Sequence, residues 1–184
     1  RLAVSDKKDS IYTLEISGGR EAFTQAVSEF GTTPIPPYMK STPLSESALR
    51  EKYQTTYARE NGSVAAPTAS LHFTQELFEN IKVHGCEIAY VTLHVGLGTF
   101  APLTEKELRS GKLHTEWYEV PPQTLEAISN ARIAGRPIIA VGTTAARTIE
   151  SCFAQNEPRP TGETQLFIRE GYSWKVVTNL ITNF

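Results

Sequence analysis

The chain has 184 residues and a formal net charge of −2, with 40% hydrophobic and 21% charged residues. This composition excludes a disordered chain, and no apolar run nears the ~20 residues that cross a bilayer. The charge balance argues against a general DNA or RNA binder, while leaving room for a local basic patch. Cys86 and Cys152 show neither close pairing nor metal-ligand spacing, which predicts buried structural thiols and a reducing, cytoplasmic setting.

Residues 11–16 alternate as a short strand, and Gly18-Gly19 turns the chain. Ala22, Phe23, Ala26, Val27 and Phe30 fall at helical spacing, with Gly31 closing the helix. Pro34, Pro36 and Pro37 enforce an extended segment. Residues 40–51 read as a polar loop, with a short helix near 47–53. Thr74 is placed to cap a helix carrying Leu77, Phe78 and Ile81, which ends at Gly85. Residues 87–95 read as a strand with Ala89, Val91, Leu93 and Val95 on one face and Ile88, Tyr90, Thr92 and His94 on the other.

Thr104 and Glu107 form a capping box, and residues 113–120 read as a strand that aligns His114, Glu116 and Tyr118. Pro121-Pro122 opens a helix through Leu125 and Ile128. Residues 137–141 predict a buried strand, Gly142-Thr143-Thr144 a tight turn, and residues 145–153 a helix with Ala146, Ile149 and Phe153 inward. A loop over 156–162 leads to closing strands that begin at 165–168. From Gly62 onward strands alternate with helices, the rhythm of an α/β architecture. The chain opens on Arg1 without a methionine and stops at Phe184 after strand-like residues, which together predict a fragment.

Three motifs carry chemistry. In Thr92-Leu93-His94-Val95-Gly96-Leu97-Gly98-Thr99-Phe100, a strand runs into a loop whose glycines admit a ligand, at the strand end where α/β sheets bind. The competing reading is a satisfied histidine beside an ordinary turn. Gly142-Thr143-Thr144 before a helix offers free N–H groups and hydroxyls to a carboxylate, with Arg147 in reach of the same anion; a plain capped junction and an exposed arginine are the alternatives. His114-Thr115-Glu116 places an imidazole and a carboxylate on one strand face, for proton transfer or for binding a hydroxyl or amine; a solvated polar face competes. No third metal ligand accompanies that pair, so no metal is expected. His72 precedes the capped helix, and His84 sits at its end as a surface residue.

Taken in order, these segments resemble one family. Ile35-Pro36-Pro37-Tyr38, Tyr53-Gln54-Thr55-Thr56-Tyr57-Ala58, residues 62–74, residues 92–100, His114-Thr115-Glu116, residues 141–151 and Thr182-Asn183-Phe184 are similar, in order and spacing, to the S-adenosylmethionine:tRNA ribosyltransferase-isomerases of queuosine biosynthesis. The resemblance implies a mixed-sheet α/β core with a smaller inserted β-barrel. Residues 1–58 would be the tail of that barrel plus a connector, and 59–184 an incomplete core. It implies transfer of the ribosyl part of S-adenosylmethionine to 7-aminomethyl-7-deazaguanine in tRNA, giving epoxyqueuosine with release of adenine and methionine. The sulfonium acidifies its neighbouring carbon, so a general base and a polar cradle are expected. The residues expected are His94, His114 and Glu116 for catalysis, and His72, Thr92, Gly96, Gly98, Thr99, Gly142, Thr143, Thr144 and Arg147 for the co-substrate.

The sequence departs from the family at Ser70 and Ala145, at Arg169-Glu170 and at Thr178, where glycine, serine, proline and aspartate are usual. The histidine-proline continuation after Phe184 and the amino-terminal Asn-Asp-Thr segment lie outside the chain, which predicts no turnover by these residues alone. A non-catalytic RNA-binding or scaffold fragment, and a methyltransferase using the same co-substrate, are the other readings. The missing Gly-rich fingerprint with its acidic partner counts against the methyltransferase.

Overall fold

The structure is a computed structural model that describes residues 2–8, 11–36, 39, 42–100 and 102–183. The motif residues Pro37, Tyr38 and Phe184 lie outside the described residues. Helices and strands mix as an α/β protein, with the strands divided among three small sheets. β1 (Leu2–Lys8) and β2 (Ile11–Ile16) form an antiparallel hairpin, and among the described residues no barrel closes. β3 (Thr92–His94), β4 (Lys112–Glu119) and β6 (Thr161–Leu166) form an antiparallel sheet, while β5 (Ile139–Val141) pairs in parallel with β7 (Asn179–Ile181). No helix among the described residues is long and apolar enough to cross a membrane.

α1 (Gly19–Phe30) forms on the expected spacing, but none of its residues is buried and Phe30 is 76% exposed. Periodicity predicts the helix, but among the described residues no element buries its apolar stripe. What ties α1 down is polar. Arg50 of α2 (Glu46–Lys52) donates to the carbonyls of Ser28 and Gly31, satisfying orphan acceptors at the helix end. Glu46 in turn accepts from the Thr33 hydroxyl (2.8 Å) and backbone N–H (2.7 Å). The hydroxyl bond comes first among the contacts that hold the Glu46 carboxyl below its usual range.

α3 (Gln75–Val83) starts at Thr74, whose hydroxyl accepts from Leu77 N–H, and buries Phe78 in a cluster with Tyr57, Phe73 and Tyr90. Ser70, where the family has glycine, is buried beside Tyr57; burial pushes the Tyr57 phenol up, and the Ser70 hydroxyl opposes that shift. The expected long strand over 87–95 shortens to three residues. The Tyr90 carbonyl is taken by the Thr124 hydroxyl of α5 (Pro122–Ile133) at 2.7 Å, so the ladder starts only at Thr92. Residues 62–64 cover the free edge of β3. Ser63 Oγ donates to Leu93 O (2.9 Å) and accepts from Val95 N–H (3.1 Å), while Val64 N–H donates to Val95 O (3.0 Å). α4 (Glu105–Ser110) carries the expected capping box of Thr104 and Glu107.

α6 (Thr143–Cys152) is the central element, packing against β3, β5 and β6. Ala146, Ile149 and Phe153 join Leu93, Val95, Tyr118, Val120, Ile128, Ala140, Val176 and Val177 in one core. Two expectations shift here. The helix begins at Thr143, with Gly142 as its N-cap at a φ of 89° that glycine alone takes readily, so the threonines lie inside the helix. In β5, Ala140 is buried but Ile139 is 52% exposed, because no layer covers its outer face. Cys152 is buried, and burial pushes its thiol up to about 11; Cys86 is exposed, contrary to expectation, since it lies just past the end of α3.

Glu150 is fully buried on α6 and organises the return to β7. Its carboxylate accepts from Lys175 N–H (2.7 Å), Val176 N–H (2.9 Å), Val177 N–H (2.8 Å) and the Tyr172 hydroxyl (3.0 Å). Burial first, then the Glu150 carboxylate, raises the Tyr172 phenol. The folded state therefore holds that proton more tightly than the unfolded chain; this stabilisation is full below about pH 10 and declines as pH rises further. Thr178, at a usual aspartate position, spans to β5: its hydroxyl accepts from Ile138 N–H at 2.9 Å. Glu150→Ala strands the two buried N–H donors of Val176 and Val177 at about 1–3 kcal/mol each, so urea unfolding is expected to show a loss of about 2–5 kcal/mol. Glu150→Gln keeps one acceptor and should cost about half as much; a loss below ~1 kcal/mol for the alanine variant would refute this role.

Candidate functional site

Strand parity decides which candidate residues meet. Leu93 pairs with Tyr118 and His94 with Trp117 across β3 and β4. Leu93, Tyr118 and Glu116 are buried on the face that α6 covers, whereas Trp117 is 39% exposed on the other. Glu116 and His114 thus belong to the inner face, and His94 and Thr92 to the outer one.

On the inner face Glu116 is the hub. Its Oε2 accepts from Arg147 Nη1 of α6, in an ion pair whose carboxylate side chain is wholly buried. Its Oε1 lies 3.0 Å from His114 Nε2 and 3.4 Å from the donating N–H of Gly96. Arg147 also donates from Nε to the Leu166 carbonyl of β6 at 3.0 Å, and its buried Nη2 meets no partner among the described residues. The exposed arginine expected by default is thus 9% exposed, since its anion is supplied by the protein itself. One carboxylate thereby links β4, α6 and the loop after β3, joining segments 92–100 and 142–147 on one side of the sheet.

The loop glycines have distinct geometric roles. A Cβ on Gly98 would fall 2.7 Å from His114 Nδ1, so only glycine leaves that nitrogen clear. Gly98 and Thr99 are exposed, and Thr99 N–H donates to Gly96 O at 3.2 Å. The Thr104 backbone and hydroxyl bonds hold the carboxyl of Glu107 in α4 low.

The remaining candidates lie apart from this cluster. His94 stacks at 5.0 Å on Trp117, against the backbone of Gly62, where a Cβ would fall 2.2 Å from His94 Nδ1. His72 is the exposed last residue of a 3₁₀ turn (Thr68–His72) whose Ala69 and Ser70 are buried. Gly142, Thr143 and Thr144 start α6, one turn before Arg147, and Thr143 is exposed. His84 Nδ1 donates to Asn80 O (2.7 Å) as an exposed C-cap residue. Trp117 and Gly62 were not singled out by sequence; only the β3–β4 register shows that they flank His94. Among the described residues no three His, Cys, Asp or Glu side chains gather as a cation site.

Fold and site together define an α/β protein with an imidazole backed by a buried carboxylate–guanidinium pair, an arrangement suited to proton transfer. The family described as queuosine biosynthesis protein matches residues 1–184. Relatives named "S-adenosylmethionine:tRNA ribosyltransferase-isomerase" share 46% identity over 169 residues in Desulforamulus reducens, covering 90% of this chain and 48% of the relative. In Francisella tularensis subsp. novicida the identity is 44% over 182 residues (98% and 53%), and in Clostridioides difficile 44% over 183 (98% and 52%). A crystal structure of S-adenosylmethionine tRNA ribosyltransferase from Thermotoga maritima is 34% identical over 61% of this chain and 34% of that one, with a TM-score of 0.46. The chain belongs to the queuosine biosynthesis protein family, and it spans about half the length of the curated relatives it matches.

The ion pair sets the stability of the site. Removing one partner of a buried pair strands the other charge, so Arg147→Ala is expected to cost about 3–5 kcal/mol in denaturant unfolding. The Arg147→Ala/Glu116→Ala double variant should cost less than the sum of the single changes; strict additivity would show that the two side chains do not interact.

Proposed function

We propose that this chain supplies the acid–base half of an S-adenosylmethionine:tRNA ribosyltransferase-isomerase. The enzyme would transfer and isomerise the ribosyl group of S-adenosylmethionine onto 7-aminomethyl-7-deazaguanine in tRNA, with release of adenine and methionine. The observation that carries this reading is the His114–Glu116–Arg147 cluster beside the Gly96–Gly98 loop, within a chain of this family. The reaction needs a base near the carbon next to the sulfonium, and His114 is partly exposed beside an open glycine.

S-adenosylmethionine is assigned as co-substrate to the cleft between segments 92–100 and 142–147, with Gly96, Gly98, Thr99, Gly142, Thr143, Thr144 and Arg147 around it and His72 at the margin; Thr92, on the outer face of β3, has the weaker support. Arg147 Nη2, buried and without a partner among the described residues, is a donor the protein leaves unengaged beside that cleft. tRNA is the partner, the cytoplasm the setting, and the division of barrel tail from core falls near residue 58. His94, with His114 and Glu116, completes the acid–base set; its place on the outer face gives it the weaker support.

The test uses a full-length chimera in which this chain replaces the matching half of a Francisella relative, alongside the 184-residue chain itself. Each is mixed with S-adenosylmethionine and tRNA bearing the precursor base. The chimera should release adenine and methionine, and the chain alone should not turn over. His114→Ala should lower chimera turnover by ~10²–10⁴-fold with little change in melting temperature, and His94→Ala by less. Release of S-adenosylhomocysteine instead would establish methyl transfer and end this reading.

A further inference from the structure

We infer that the proton-accepting atom of this site is His114 Nδ1, with Glu116 and Arg147 as positioning residues that act through it; this rests on reading the site as one that removes a proton. Glu116, as the ion-pair partner of the Arg147 guanidinium, is a carboxylate and can only accept hydrogen bonds. Its Oε1 lies 3.0 Å from His114 Nε2, so Nε2 must carry a hydrogen and donate it. A neutral imidazole has one protonated nitrogen, which leaves the basic lone pair on Nδ1.

The surroundings of Nδ1 agree with that assignment. It points at Gly98, where a Cβ would sit 2.7 Å from Nδ1, 2.8 Å from Cγ and 3.0 Å from Cε1. Any other residue at 98 would cover the nitrogen or push the ring off Glu116. Gly98 is itself exposed and the His114 side chain is 29% exposed, so the imidazole lies at the surface of the site. Glu116, by contrast, is sealed: its side chain has no exposed surface, and both oxygens are already engaged. A substrate proton can reach the imidazole but not the carboxylate. When Nδ1 takes a proton from the carbon beside the sulfonium, the C–H electron pair stays on that carbon. The imidazolium that forms keeps its Nε2–H on Glu116, whose charge offsets the new one. Arg147 holds the carboxylate in register and never meets the transferred proton.

Nitrogen-15 spectra of the 184-residue chain labelled at histidine decide the tautomer directly, with the His114 signals assigned by their loss in His114→Gln. The expected result is a neutral His114 protonated at Nε2. In Glu116→Gln, whose amide can donate, the population should move towards protonation at Nδ1. A native His114 protonated at Nδ1 overturns the inference. Turnover of the full-length chimera supplies the second readout. His114→Gln should lower kcat by ~10²–10⁴-fold, and Glu116→Gln by a smaller factor with KM for S-adenosylmethionine little changed. An equal or larger loss in Glu116→Gln would make the carboxylate the base and sink the assignment. The spectrum does not depend on turnover. An inactive chimera therefore counts against the proposed activity, and the tautomer alone then upholds or overturns Nδ1.

Discussion

The buried pair of Glu116 and Arg147 constrains everything around it. Bringing two opposite charges into the interior costs several kcal/mol for each ion, recovered only if geometry and further hydrogen bonds are good. Here the further bonds exist: Arg147 reaches the Leu166 carbonyl, and Glu116 takes the Gly96 N–H and the His114 imidazole. The pair therefore fixes the distance between α6 and β4, the end of β6 and the entry to the 96–100 loop. Well-packed apolar residues fill such positions with equal or better stability in many proteins. Stability alone is therefore a poor reason for these two residues, whereas a fixed carboxylate does orient the imidazole bonded to it.

α6 carries that constraint to the rest of the fold. Ala146 and Ile149 face the core, Arg147 faces β4, and Glu150 faces the segment 172–177. Three residues apart on the helix, Arg147 and Glu150 are stacked one turn from each other, so the site and the β7 connection share one rigid support. Glu150 needs no cation, because three backbone N–H groups and a phenol surround its charge. A catalytic group backed by a packed helix is held more closely than one on a loop. That leaves the 96–100 loop, whose Gly98 and Thr99 are exposed, as the adaptable wall.

Much of this was legible in the sequence, and the failures have physical causes. Local rules found the helix at Thr74, the capping box at Thr104, the proline-opened α5 and the inward residues of α6, because each depends on neighbours within a turn. Alternation found the shared face of His114 and Glu116 for the same reason. It could not find the partner of Glu116, since Arg147 lies 31 residues away and meets it only through packing. It overextended β3, because a hydroxyl on α5 takes the Tyr90 carbonyl, a contact with no local trace. It also read Gly142-Thr143-Thr144 as a turn before α6, where the helix already starts at Thr143 behind a glycine at positive φ. Burial was the least legible quantity: α1 has a clear apolar stripe and buries none of it.

His94 and His114 show how little a motif says until the register is known. Both histidines lie on strands, each has a glycine against its Nδ1, and a sequence reading treats them alike. Register sets them on opposite faces of the sheet. Gly62, at a φ of 147°, brings main chain onto His94 so closely that the ring is confined between that backbone and Trp117. A Cβ on Gly98 would point at His114 Nδ1, so the missing side chain keeps that ring, itself 29% exposed, from being covered. Both glycines thus make room for a ring, and what tells the two histidines apart is the partner on the far nitrogen. Among the described residues only His114 has a buried carboxylate on its far nitrogen, an arrangement that suits proton transfer.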